Sequence, residues 1–230
     1  MPDSKYEITE IAHEEYPFLH RIRALRDVGL DVKAGDLGGF VEREENLSQE
    51  SRAWIYDDAI AAGNATVDQD SQLRDWAVAC ESAYISQGSV MSGNARAEGS
   101  AFIRGAKLSE SALASSHAMV LNDQEHPEWS PLVSGNCAVY GTVQGRVAME
   151  ENYCVFSSEM IRNDTEDMFV INSQGRSVLR SEARDILYPT KSEAEREEQA
   201  SHPPVKESQP GNPTGKTRRS PKRTGKERQR

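Results

Sequence analysis

The sequence predicts an all-β chain, a solenoid of single short strands wound as a β-helix, and two interleaved series of residues carry that prediction. Small residues recur every six positions at Ala53, Ala59, Ala65, Ser71, Ala77, Ala83, Ser89, Ala95 and Ala101; after one step of five they resume at Ala106, Ala112 and Ala118. Two positions behind each runs a second series, all apolar: Ile55, Ala61, Val67, Leu73, Ala79, Ile85, Met91, Ala97, Ile103, Leu108, Ala114 and Val120. Residues two apart share one face of an extended strand, whereas a helix would repeat its apolar positions at three and four. Each six-residue unit is therefore one strand with two inward side chains, then a corner, with bends at Gly63-Asn64, Gly93-Asn94 and Gly99-Ser100. A hydrophobic share of 37% is low for a compact domain but sufficient for the thin core column of a solenoid.

The elements follow in order. Residues 1–52 are expected to cap the column, because the open first coil would expose unpaired backbone groups and apolar side chains. Tyr6–Ile8 and Leu19–Leu25 read as short strands, and Gly35, Gly38 and Gly39 mark a turn before Phe40-Val41. Residues 53–150 form the β-helix, interrupted at 122–133 by a loop that holds two prolines and Trp129. Residues 151–185 add a few strands as a C-terminal cap. Glu182–Ala200 reads as a short charged helix leading into a charged tail, residues 186–230, whose Pro, Lys, Arg, Ser and Gly content beyond Ser201 predicts disorder.

The units resemble the hexapeptide-repeat, left-handed β-helix pattern, in which an aliphatic residue is followed four positions later by a small one, as in Leu73 to Ala77, Ile85 to Ser89 and Met91 to Ala95. That resemblance implies a triangular coil of three units, about 18 residues. The left hand comes from the resemblance; spacing is silent on it, and ordinary crossovers favour the right hand. The segment HRIRALRDVGLDVKAGDLGGFVEREENLS at 20–48, the repeats after it and ArgAsnAspThr at 162–165 resemble an uncharacterised family common in bacteriophages and prophages. The resemblance covers roughly residues 5–180 and implies fold and setting rather than an activity. After residue 175 the sequence departs from that family's apolar, Cys-containing ending.

With three units per coil, the residues just after each small position form three outward rows: Trp54, Gln72, Val90 and Lys107; Ile60, Val78, Arg96 and Leu113; and Thr66, Tyr84, Phe102 and Met119. The last is an apolar and aromatic stripe, the second nearly as apolar. A stacked row of this kind is expected to meet a protein partner or a second copy, as a homotrimer or dimer, or else to be covered by the N-terminal segment or residues 153–180.

Net charge is −10, unevenly spread. Residues 206–230 hold nine Lys/Arg against Glu207 and Glu227, giving +7; residues 191–205 carry −2, which leaves −15 on residues 1–190. Arg218, Arg219, Lys222, Arg223, Lys226 and Arg228 are expected to make weak, salt-dependent contact with nucleic acid or another acidic partner. Cys80, Cys137 and Cys154 read as apolar fillers, and no metal or cofactor is expected. No stretch reaches the roughly 20 apolar residues of a membrane span, and MPDSKYEITE lacks the apolar core of a secretion signal, so the expected setting is the cytoplasm.

Three functions compete. A non-enzymatic β-helical scaffold of phage or prophage type would bind through its flat faces. A hexapeptide-type acyltransferase would use a histidine as general base, with His117 and His126 the candidates; ordinary solvent-facing polar residues are the blander reading of both. An acidic rod could inhibit a nucleic-acid-binding protein by imitating its ligand. ArgAsnAspThr at 162–165 reads either as a polar site with Glu166 and Asp167 or as a tight turn capped by Asp.

Overall fold

The computed structural model describes residues 4–181 as an all-β solenoid of about seven coils. The expected charged helix and basic tail lie outside these residues. Three parallel sheets form the walls of the coil, and the chain visits them in strict rotation. It runs from the eight-stranded sheet (Trp54–Ile55) to the nine-stranded sheet (Ile60–Ala61), then to the six-stranded sheet (Thr66–Val67), and returns at Gln72–Leu73. We call the three intervening bends the first, second and third corners.

The two residue series point inward as their spacing requires. Ala53, Ala59, Ala65 and Ala77 are fully buried, as are Ile55, Val67, Leu73, Ile85 and Met91. Burial of one such large aliphatic side chain stabilises by about 1.5–3 kcal/mol. The backbone ladder links coil to coil, as in Trp54 N–H to Ser71 O at 3.0 Å and Gln72 N–H to Ser89 O at 2.8 Å. Ser71 occupies a small-series position, but its buried Oγ has no hydrogen-bond partner. Ser89, in the same role, donates to Ser86 O at 2.6 Å.

Parallel stacking begins before the regular repeats and continues after them. Phe40-Val41 already pairs with Ile60-Ala61, and Leu47 bridges to Val67, so these residues open the first coil. At the other end Cys154–Val155, Met160–Asn163 and Met168–Asn172 complete the last coil, and Gly175–Leu179 closes on Met168–Asn172 as an antiparallel hairpin.

The N-terminal segment closes each wall of the first coil by a different device. Strands β1 (Tyr6–Ala12), β2 (His20–Ala24) and β3 (Leu37–Val41) extend the nine-stranded sheet antiparallel, except that β3 joins the coils in parallel. Lys5, fully buried, donates through Nζ to Ser51 O (3.1 Å) and Ala53 O (2.8 Å). Tyr6 Oη donates to Glu44 O (2.8 Å) and Leu47 O (2.9 Å). Carbonyls that would otherwise lack a neighbouring coil thus find donors. Trp54 departs from the outward row in which the spacing placed it. It is buried, edge-on to Tyr6 with ring centroids 6.3 Å apart, in the same cluster as Val28 and Val32. At the first coil the capping segment supplies the cover that a surface position would lack.

The acidic character has a structural role at the corners. Asp57 accepts Asp75 N–H (3.1 Å), Asp75 accepts Gly93 N–H (2.7 Å), and Glu110 accepts Gly135 N–H (3.0 Å), each from the next coil. At the second corner Glu42 and Glu81 do the same for Gly63 and Gly99. Among the described residues no helix is long and apolar enough to cross a membrane.

Candidate functional site

Coil length varies at particular corners. The first corner keeps six residues between inward positions throughout, from Ile55-to-Ala61 to Met149-to-Val155. Every lengthening falls at the third corner, between the six- and eight-stranded sheets: a small one from Leu47 to Ile55, and two large excursions, Val120 to Val133 and Ile161 to Ile171. The inserted loop therefore stands above ArgAsnAspThr on the same edge of the rod.

Both excursions are built around a buried asparagine. Asn122 accepts from Arg104 Nε on Oδ1 (2.9 Å) and from Arg104 Nη2 on its backbone oxygen (2.9 Å). Asn163 donates through Nδ2 to Arg146 O (2.7 Å) and Asp167 O (2.6 Å), and its Oδ1 accepts Thr165 N–H (3.1 Å) and Thr165 Oγ1–H (2.6 Å). ArgAsnAspThr is thus a tight turn, but Asn163 organises it, while Asp164 faces solvent 3.5 Å from Arg162. Glu166 is exposed, and Asp167 Oδ1 accepts Ser181 N–H.

The inserted loop is compact. Asp123 Oδ1 accepts the N–H groups of Glu125 and His126, both at 2.9 Å, and its backbone N–H donates to Trp129 O. The His126 N–H, then that of Glu125, hold the Asp123 carboxyl below the usual carboxylate range. The His126 ring stacks on Trp129 at 4.0 Å, and its Nδ1 lies 3.4 Å from Glu128 Oε1. Between this loop and the last coils is a cleft of about 450 Å³ lined by Asp123, His126, Trp129, Gln144, Arg162 and Asp164 among others.

His117 does not join this cleft. It is exposed at the second corner with Nδ1 3.4 Å from Ser116 Oγ, so the two candidate histidines stand on different edges of the solenoid. No group of three His, Cys, Asp or Glu among the described residues is placed to hold a metal ion. Arg218, Arg219, Lys222, Arg223, Lys226 and Arg228 lie outside the described residues.

No protein-family model matches the chain. Among curated proteins it is similar to the uncharacterized acetyltransferase YdcK of Escherichia coli (strain K12), at 43% identity over 56 residues. That stretch is 24% of this chain and 17% of the relative, so the match spans less than a fifth of the relative's length. The six-residue units of the coils fit a hexapeptide-repeat solenoid.

The outward rows take the expected register. Thr66, Tyr84, Phe102 and Met119 are direct neighbours on the six-stranded sheet, with the Tyr84 and Phe102 rings stacked at 5.7 Å. Thr142 and Met160 continue the row, and Met160 is 66% exposed. Ile60 and Val78 are neighbours on the nine-stranded sheet, below Phe40. Phe40 is covered by the His13 ring at 4.7 Å and the Arg21 guanidinium at 4.2 Å. β1 and β2 extend the nine-stranded sheet, and Met168–Leu179 belongs to the eight-stranded one. Neither adds a strand to the six-stranded wall.

The sequence does not single out Gln144 as a site residue, whereas Arg162 and Asp164 belong to the ArgAsnAspThr run that it offers as a polar site. The signal that locates them is the phase of the insertions: two long steps at the same corner, a short stack apart, bring their loops together.

Proposed function

We propose that the chain is an acyltransferase of the hexapeptide-repeat kind, with its acceptor in the cleft beneath the inserted loop and His126 as general base. One observation carries this reading: the ring of His126, stacked on Trp129 with Nδ1 3.4 Å from Glu128, lines that cleft. A carboxylate beside Nδ1 favours the tautomer that leaves Nε2 as the acceptor nitrogen, the base–orienter arrangement that acyl transfer uses. Nε2 takes the proton of an acceptor hydroxyl or amine as its lone pair attacks the carbonyl of an acyl thioester. The tetrahedral intermediate then collapses, the C–S bond breaks, and the imidazolium returns the proton to the departing thiolate. Arg162 offers a cationic contact for an anionic portion of either substrate. The similarity to an acetyltransferase supports this reading over a purely structural one.

The test is thiol release from acetyl-coenzyme A by the full chain, across amino and hydroxyl acceptors. Activity that falls about 10²-fold or more in His126→Ala is expected. No release above buffer with any acceptor, or undiminished turnover in His126→Ala, overturns the proposal.

A second reading has its own observation. The unbroken row Thr66, Tyr84, Phe102, Met119 on the six-stranded wall supports a scaffold that binds protein through a flat face, with Ile60 and Val78 as a lesser patch. The acidic-mimic reading draws less support, because many corner carboxylates are engaged by backbone N–H groups on two different edges.

A further inference from the structure

We infer that the six-stranded wall pairs face to face with the same wall of a second copy, about a two-fold axis parallel to the strands, so that the two solenoids run antiparallel. The inference does not depend on the acyl-transfer reading.

Two columns flank the inward one on this wall, and all their members but the buried Ser86 and Thr142 are at least partly exposed. The first is Thr66, Tyr84, Phe102, Met119, Thr142 and Met160. The second, nearer the third corner, is Asp68, Ser86, Arg104, Leu121, Gln144 and Arg162. A two-fold axis along the strands keeps each column against itself and reverses coil order. Phe102 then meets Met119 at the centre, Tyr84 meets Thr142, and Thr66 meets Met160. In the second column Asp68 meets Arg162 twice, once at each end of the interface. The wall thus carries Asp68 at its first coil and Arg162, beside Asp164, at its last. Between them lie the apolar Phe102 and Met119 with Tyr84 in the first column, and in the second the Arg104 guanidinium is turned onto Asn122. Opposite charges therefore stand at the two ends, as a self-complementary surface needs.

Shape agrees with charge. The inserted loop rises beside Gln144 and Arg162, over the later coils alone. The earlier half, around Asp68 and Ser86, has no such loop. Antiparallel pairing seats each loop against the partner's loop-free half. A parallel arrangement, including a three-fold one, would set corresponding coils side by side and forfeit both the Asp68–Arg162 pairs and this fit.

The experiment is sedimentation equilibrium of the full chain over a wide concentration range, together with a cross-linking series. A dimer mass is expected, reverting to a folded monomer in Phe102→Glu, with the β-sheet circular dichroism unchanged. Asp68→Arg and Arg162→Asp should each weaken dimerisation, and the double variant should restore it. The double variant Phe102→Cys with Met119→Cys should form an interchain disulfide under mild oxidation that neither single variant forms. A monomer at every concentration overturns the inference. So does an oligomer in which the two introduced thiols fail to cross-link, or one that the charge reversal does not rescue; if Phe102→Glu unfolds, the charge-reversal and cross-linking arms decide.

Discussion

Gly145 runs so close to Asn163 in the next coil that a Cβ at Gly145 would overlap the Asn163 carbonyl oxygen, and its φ of +80° is one that other residues adopt only under strain. The two are direct partners in the six-stranded sheet. Gly145→Ala should therefore displace the ArgAsnAspThr turn and destabilise the fold by about 2 kcal/mol or more. The urea midpoint measures this, and an unchanged midpoint would show that the turn gives way freely.

Ser71→Ala should stabilise. Every neighbouring unit carries a small residue at this position, and the Ser71 hydroxyl is buried without a partner. Removing it relieves a desolvated polar group worth about 1 kcal/mol. A thermal melt of the variant should rise by a few degrees.

Lys5 gives stability a distinctive alkaline dependence. Burial is the main cause that lowers its pKa from 10.5 to about 8. Between those values the unfolded chain holds a proton that the folded chain has released, so stability increases with pH across that window. Tyr6 opposes this above pH 10, because burial raises its phenol and the unfolded chain then ionises first. Urea midpoints from pH 7.5 to 9.5 should climb in the native chain and stay level in Lys5→Met.

Acid should act through the corners and their salt links. The Gly63 N–H, as the largest cause, lowers the Glu42 carboxyl below its ordinary value, and Arg52 chiefly lowers that of Asp70. Groups with depressed folded values stabilise above the unfolded carboxylate range and lose that contribution as pH falls through the folded value. Melting temperature should therefore decline below about pH 4, and Glu42→Gln should flatten part of the decline.

The period of six made the walls readable, because inward alanine and aliphatic positions alternate with corners whose geometry tolerates little else. Register across the coils, including the alignment of Tyr84 with Phe102, followed from counting alone. Two things did not. Trp54 occupies an outward position in phase with Gln72, and only the folding back of residues near Val28 and Tyr6 buries it. The cleft depends on contacts between Trp129's loop and Arg162, which lie far apart in the chain and outside the period. Spacing also gave His117 and His126 equal standing, and only the corner each occupies separates them.

Since Val120-to-Val133 and Ile161-to-Ile171 bulge from one edge while the coils on either side stay in register, that edge behaves as a seam into which new chain can be spliced. Neighbouring rungs realign the backbone after each excursion, so peptides grafted at Gly105 or Gln87 would hang beside the existing loop in a row of fixed spacing. The rod is in that sense a ready display rack, with recognition elements exchangeable along a single spine.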